Sequence, residues 1–467
     1  MQNNYLCQIF SSKTKQRIDM KRYANLRFLF SFLVLSLLFQ ASACSKDDDD
    51  QGMPTPDPDP EMVCDSTLAP IIFVHGFLAS GDTYATQVQR FTSNRYCGDR
   101  LFSFDWNTLG NQAEAIANLD ALIDQVLEQT KAPQVHLAGH SAGGGLCYNY
   151  LANGGRAAKV ARYVHIGSGT QAQPAGPAGE IPTANIWSEG DKVVAGSDIP
   201  GAENIRFGDL DHYEVATGAG PFAAMYAFFN DGQQPETTAI MPENEVLLSG
   251  RVVTLGENRA MVGASIEIYE VDPATGSRLR STPDAALTAD ANGYWGPWEA
   301  KPNVAYSFVT RTTTPNDRPI HYYREGFVRS NQLIYLRTFP PPTSLAGLLL
   351  AGIPRDDNQT ALAVFTANQG VIYQRDALSV NDFDLATERY ASPERTSIAI
   401  FLYDDGDGQT SGNPHPAFNF VPAFLTGVDY FIPTEPQTTI QLKFNGRSLN
   451  VPNLKSASDG VIVAVFD

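Results

Sequence analysis

Residues 135–150 read VHLAGHSAGGGLCYNY. An apolar run ends in Gly139-His140-Ser141-Ala142-Gly143, and a helix-like run follows. A strand that turns into a helix at a single residue pushes that side chain out of the turn and strains its backbone. Bulky neighbours would clash there, and glycine removes the clash. Gly139 and Gly143 hold those flanking places around Ser141. The hydroxyl is then expected at the positive end of a helix, where developing negative charge is favoured. The segment therefore predicts a serine nucleophile on an elbow. The bland alternative is a Gly-rich turn with an incidental serine. The strand before it and the helix after it argue against that.

Working outward, residues 65–231 alternate between short apolar runs and helical patterns. LAPIIFVHG (68–76), RLFSFDW (100–106), PQVHLAGH (133–140), ARYVHIGSG (161–169), TANIWS (183–188) and ENIRFGD (203–209) predict strands. Between them, NQAEAIANLDALIDQVLEQT (111–130) places apolar residues at 116, 119, 122, 123, 126 and 127, which is helical spacing. Asn111 with Glu114 forms a capping pair at its start. PFAAMYAFFN (221–230) predicts the closing helix. Such alternation implies an α/β fold, a parallel sheet covered by helices on both faces.

A serine needs a base, usually histidine. The chain has seven histidines. His136 and His165 fall inside predicted strands, His140 is the variable residue of the elbow, and His75 is in the exit turn of the first strand. His321 and His415 belong to later, β-rich sequence. His212, in GDLDHYEVA, follows the last strand of the α/β region. A loop there reaches the carboxyl ends of the strands, where the elbow stands. The base needs a carboxylate to orient it. Asp191, directly after strand TANIWS in SEGDKVV, is the first choice, Asp198 the second and Glu189 the third; Glu180, Glu203, Asp209 and Asp211 are the remaining candidates. An oxyanion needs donors. The N–H of Ala142 is one. The turn after the first strand supplies the other, since Gly76 allows a tight turn that aims the Phe77 N–H inward.

With IIFVHGF (71–77), GHSAGG (139–144), SEGDKVV (188–194) and GDLDH (208–212) in this order, residues 65–231 resemble the α/β-hydrolase fold, and within it the small bacterial lipases and esterases. DIPGAENIRF (198–207) is similar to their sequence before the histidine. The resemblance implies carboxylic-ester hydrolysis through an acyl-enzyme, with no cofactor and no metal. It covers roughly a third of the chain. The β-rich remainder resembles, more loosely, the C-terminal β-barrel of some secreted lipases, and implies no residue roles. Only about a dozen residues, rich in Gly, Ala and Pro, join ARYVHIGSG to TANIWS, which leaves no room for a helical lid. The site is expected to be open or covered by a β module.

The chain has 467 residues, enough for two or three domains. A net charge of −18 argues against nucleic acid as a partner. Residues 1–43 read as a signal peptide: Lys21, Arg22 and Arg27, the apolar run Phe28–Phe39, then Ala41, Ser42 and Ala43. Met20 is expected to be the true start. ASAC (41–44) resembles the lipobox of bacterial lipoproteins, which implies a lipidated Cys44 and a membrane anchor. SKDDDD (45–50) resembles the acidic signal that sends some of them to the outer cell surface; plain secretion is the alternative. Residues 44–61 form an acidic, Pro-rich tether. The α/β-hydrolase domain is expected over 62–238 and β-rich sandwich or barrel domains over 244–340 and 345–467, split by the stiff joint FPPPTS (339–344). Cys64 and Cys97 are the expected disulfide in an exported protein, with Cys147 an apolar filler.

Two further patterns have plainer readings. YDDGDGQTSG (403–412) lacks the third carboxylate or Asn and the closing Glu of a calcium loop, and predicts an acidic turn. The aromatics of 294–327 predict β-domain core rather than a sugar- or acyl-binding face. Rival functions are another serine hydrolase (a polyester depolymerase, thioesterase or peptidase) and a surface protein whose β modules bind glycan or polymer, with an accessory hydrolase domain.

Overall fold

The computed structural model describes residues 63–314, 317–421, 423–435 and 437–467. The expected signal segment, Met20, Cys44 and the tether lie outside the described residues. Six strands form one sheet: β1 (Ile71–Val74), β2 (Leu101–Phe104), β3 (Val135–His140), β4 (Val160–Ile166), β5 (Thr183–Ser188) and β6 (Glu203–Phe207), in the order β2-β1-β3-β4-β5-β6. Every neighbouring pair is parallel.

Both faces of the sheet are covered, so its central strands are apolar without alternation. Ile71 and Phe73 face one layer, which holds helix α1 (Ala85–Thr92) and the helix Ala219–Phe229. Ile72 and Val74 face the other, which holds α2 (Gln112–Thr130) and α3 (Ala142–Leu151). Asn111 caps α2, its side chain accepting the N–H groups of Ala113 and Glu114. The connections that follow β4 and β5 contain no helix. All strands point the same way. The turns after β1, β3, β5 and β6 therefore gather at one edge, and these turns carry Phe77, Ser141, Asp191 and His212.

Cys64 and Cys97 are joined by a disulfide, and Cys147 is a buried free thiol on α3. Beyond residue 245 the longer regular elements among the described residues are strands, joined by turns and three helices of four or five residues. Strands from both β regions share one eight-stranded sheet, and the other strands form a three-stranded and a four-stranded sheet. The order of the eight-stranded sheet is Leu425–Asp429, Ala399–Tyr403, Leu362–Thr366, Val461–Phe466, Ile320–Arg324, Tyr306–Arg311, Ser265–Glu270 and Ala285–Thr288. The seam is the parallel pairing of Ile320–Arg324 with Val461–Phe466. Hydrogen bonding thus crosses the Pro-rich joint. Trp295, Tyr306, Phe308 and Phe327 are buried in the core of this region.

Candidate active site

Ser141 sits between the end of β3 and the start of α3 with φ +54° and ψ −122°. A side chain at positive φ costs about 1–3 kcal/mol, tolerated where the surroundings over-determine it. Here they do. A Cβ on Gly139 would lie 2.8 Å from both the Gly143 carbonyl oxygen and Cys147 Sγ, and one on Gly143 would strike the carbonyl oxygens of Val74 and His75. A Cβ on Gly76 would lie 3.0 Å from Ser141 Cβ, so the first-strand turn lies against the elbow. Ser141 N–H donates to Ile166 O at 2.9 Å. Ser168 Oγ donates to Ser141 O at 2.7 Å. Ser168 had no sequence signal, because its role depends on the turn after β4 meeting the elbow.

His212 is fully buried. Its Nδ1–H donates to Asp191 Oδ2 at 2.7 Å. The other carboxylate oxygen, Oδ1, accepts the N–H groups of Val193 and Val194 at 2.8 and 2.9 Å. The carboxylate is thus held from one side and holds the imidazole with the other. The second and third choices are engaged elsewhere: Asp198 accepts from Trp187 Nε1 at 3.1 Å, and Glu189 pairs with Arg206. The imidazole of His140, next to Ser141, lies 4.7 Å from that of His212, centroid to centroid. His140 Nε2–H donates to His212 O at 2.8 Å, which ties the elbow to the histidine loop. Burial, reinforced by the neighbouring His212, holds the His140 pKa well below the usual histidine range, so it stays a neutral donor. His212 Nε2 is buried without a hydrogen-bond partner and does not reach Ser141 in this state. Hydrogen bonds of this kind often form only when substrate is bound.

The turn after β1 is tightly made. Leu78 has φ +55° and its N–H donates to Thr108 Oγ1 at 3.0 Å. His75 Nδ1–H donates to Gly76 O at 2.8 Å, and its Nε2 accepts from Trp106 N–H and Asn258 Nδ2, each at 3.2 Å. Burial pushes the His75 pKa down, which favours this neutral tautomer. The N–H groups of Phe77 and Ala142 donate to no acceptor among the described residues. Asn258 also donates to Ala79 O at 2.8 Å and accepts from Ser80 Oγ at 2.5 Å. It comes from the first β region and braces this turn. From the second β region, Phe424 stacks on the His212 ring. A β module thus covers the imidazole of His212, while Ser141 stays half-buried.

Elsewhere, Asp404, Asp405 and Asp407 lie together. Asp404 accepts the N–H groups of Gly406, Gly408 and Gln409, which closes an acidic turn.

Residues 69–210 match the model of the alpha/beta hydrolase fold family. Residues 244–341 match that of the lipase C-terminal domain, and residues 350–467 that of a further C-terminal domain. Among solved structures, an esterase from Rhodococcus aligns with 37% of this chain and 94% of its own at 15% identity and a TM-score of 0.29. A lipase from Bacillus licheniformis in its mature form aligns with 37% of this chain and 96% of its own, at 16% identity and a TM-score of 0.29. Naproxen esterase from Bacillus subtilis aligns with 36% of this chain and 86% of its own, at 13% identity and a TM-score of 0.28. The six-stranded sheet and its elbow are an α/β-hydrolase domain, and the chain continues into β-rich sequence that matches the lipase C-terminal domain.

Proposed function

We propose that the protein is a serine esterase or lipase. Ser141 attacks the ester carbonyl while His212 Nε2 takes its proton. Asp191 keeps the imidazole in the Nδ1–H tautomer and stabilises the imidazolium. The N–H groups of Phe77 and Ala142 donate to the oxyanion. His212 then passes the proton to the departing alkoxide, and the alcohol leaves an acyl-Ser141. Water, deprotonated by His212, attacks that acyl group and releases the acid.

The observation that carries the reading is the 2.7 Å bond from His212 to Asp191 beside a serine held at positive φ. The deciding experiment uses chromogenic acyl esters of increasing chain length beside a peptide and a thioester. Ser141→Ala is expected to abolish ester turnover and fluorophosphonate labelling while keeping the fold. Retained turnover removes Ser141 from the chemistry.

The same reading extends to location. The protein is exported and anchored through a lipidated Cys44, with the acidic tether carrying the enzyme away from the membrane. Radiolabelled fatty acid fed to producing cells is expected to label the wild-type chain and not Cys44→Ala.

A further inference from the structure

His212 stands on a loop that the second β region grips. Asp211, its neighbour, has a buried carboxylate. Oδ1 accepts the N–H groups of Tyr213 and Glu214 at 2.8 and 2.9 Å, a local turn within the hydrolase domain. Oδ2 points the other way. It accepts Gly370 N–H at 3.0 Å and Arg375 Nη2 at 2.8 Å. The second nitrogen of the same guanidinium, Nη1, donates to Glu214 Oε2 at 2.6 Å. That oxygen also accepts the Asp211 N–H at 3.0 Å. One planar cation therefore holds residues on both sides of His212, with a separate nitrogen for each.

Arg375 is itself fixed. Its Nε and Nη2 donate to Asp376 Oδ2 at 3.0 and 2.9 Å, and Nη2 donates to Gly370 O at 2.7 Å. Asp376 is locked in turn by Ile372 N–H at 2.8 Å and Gln369 Nε2 at 2.9 Å. Thr217, one turn beyond Glu214, donates to Asn368 O at 2.5 Å. Residues 368–376 thus form a rigid claw between the strands Leu362–Thr366 and Leu378–Val380. A bidentate guanidinium fixes direction as well as distance, which a lysine cannot do at two acceptors. A general base must be held close to its productive geometry, and small misplacement is costly in rate.

We propose that Arg375 is a positioning residue for His212, so that the second β region completes the active site by setting where the base stands. The inference rests on His212 being the base. Arg375 touches neither substrate nor the reacting atoms; it acts through Asp211 and Glu214.

The test uses the full chain, with Arg375→Ala, Arg375→Lys and, as a control from the same region, Arg447→Ala, whose Glu325 partner is far from the loop in sequence and in pairing. Turnover of 4-nitrophenyl butyrate gives kcat and KM. Near-ultraviolet circular dichroism reports folding. The low-field proton resonance of a His–Asp hydrogen bond reports the imidazole directly, independent of turnover. Arg375→Ala is expected to lower kcat by ten- to a hundredfold with KM within twofold, and to broaden or lose the resonance. Guanidinium ion is expected to restore part of the rate. Arg375→Lys is expected to fall in between, and Arg447→Ala to match wild type.

A folded Arg375→Ala with kcat within twofold of wild type overturns the proposal. If that variant does not fold, Arg375→Lys decides: a wild-type kcat overturns the proposal, and a fivefold or greater loss at unchanged KM supports it. If Ser141→Ala keeps its turnover, the serine reading fails separately. The resonance then judges the clamp alone, and its survival in Arg375→Ala refutes it.

Discussion

The ring of Phe424 lies over the imidazole of His212, with 5.5 Å between centroids and 26° between planes. The two residues come from different parts of the chain, and Phe424 holds a positive φ of +74° to make the contact. Phe424→Ala is expected to uncover His212. Labelling of Ser141 by a bulky fluorophosphonate should quicken severalfold, and stability should fall by about 3 kcal/mol, the usual cost of emptying a buried phenyl site. A labelling time course and a urea melt check both. Unchanged labelling would mean that substrates arrive from another side.

Asp191→Asn keeps an amide oxygen for the Val193 and Val194 N–H groups, so the fold should survive. The side chain that faces His212 Nδ1 then offers a donor, and the imidazole turns to the wrong tautomer. The fall in kcat is expected to be about ten-thousandfold. Steady-state kinetics on the purified variant measure it; a fall under tenfold would send the search back to another carboxylate.

Three histidines outside the site predict how stability responds to acid. Burial pushes His136, His165 and His321 down to about 4. In the unfolded chain each returns to the ordinary value of about 6.5. Between those values the unfolded state binds the extra protons. Their contribution is complete above about pH 6.5 and is lost as pH falls towards 4. The unfolding midpoint is expected to drop across that window. His321 Nε2–H donates to Asp459 O at 2.8 Å, a bond that glutamine can keep. His321→Gln should therefore flatten the slope by about 1.4 kcal/mol per pH unit. An unaltered slope would show that His321 titrates normally.

Reduction offers a separate check. The Cys64–Cys97 bridge closes a loop with a sequence separation of 33. Loop-closure entropy puts its contribution at about 3–4 kcal/mol. Urea melts with and without reductant should differ by that amount, and the Cys64→Ala, Cys97→Ala double variant should be indifferent to reductant. Coincident wild-type curves would deny the bridge any such part.

What could be read beforehand was what is local or topological. The elbow declares itself within five residues, because Gly139 and Gly143 are demanded by the strain at Ser141. His212 follows from strand order, since a parallel sheet brings its carboxyl ends together. The choice among Asp191, Asp198 and Glu189 stayed open in sequence, since all three flank the same loop; the hydrogen bond to His212 separates them. Arg375, Asn258 and Phe424 gave no signal at all. Each meets the hydrolase domain across a long stretch of chain, and an isolated Arg, Asn or Phe in β-rich sequence has no spacing to mark it. The sheet shared by the two β regions was hidden for the same reason, since strand runs do not name their partners.

That sheet has a bearing on timing. Val461–Phe466 sits at its centre, with Leu362–Thr366 on one side and Ile320–Arg324 on the other. Pairings so distant along the chain form slowly. Residues 368–376, which grip the His212 loop, follow directly on one of these strands, Leu362–Thr366. Competence for chemistry would then lag behind acquisition of shape, and a nascent enzyme of this design would stay latent until its last central strand slid home.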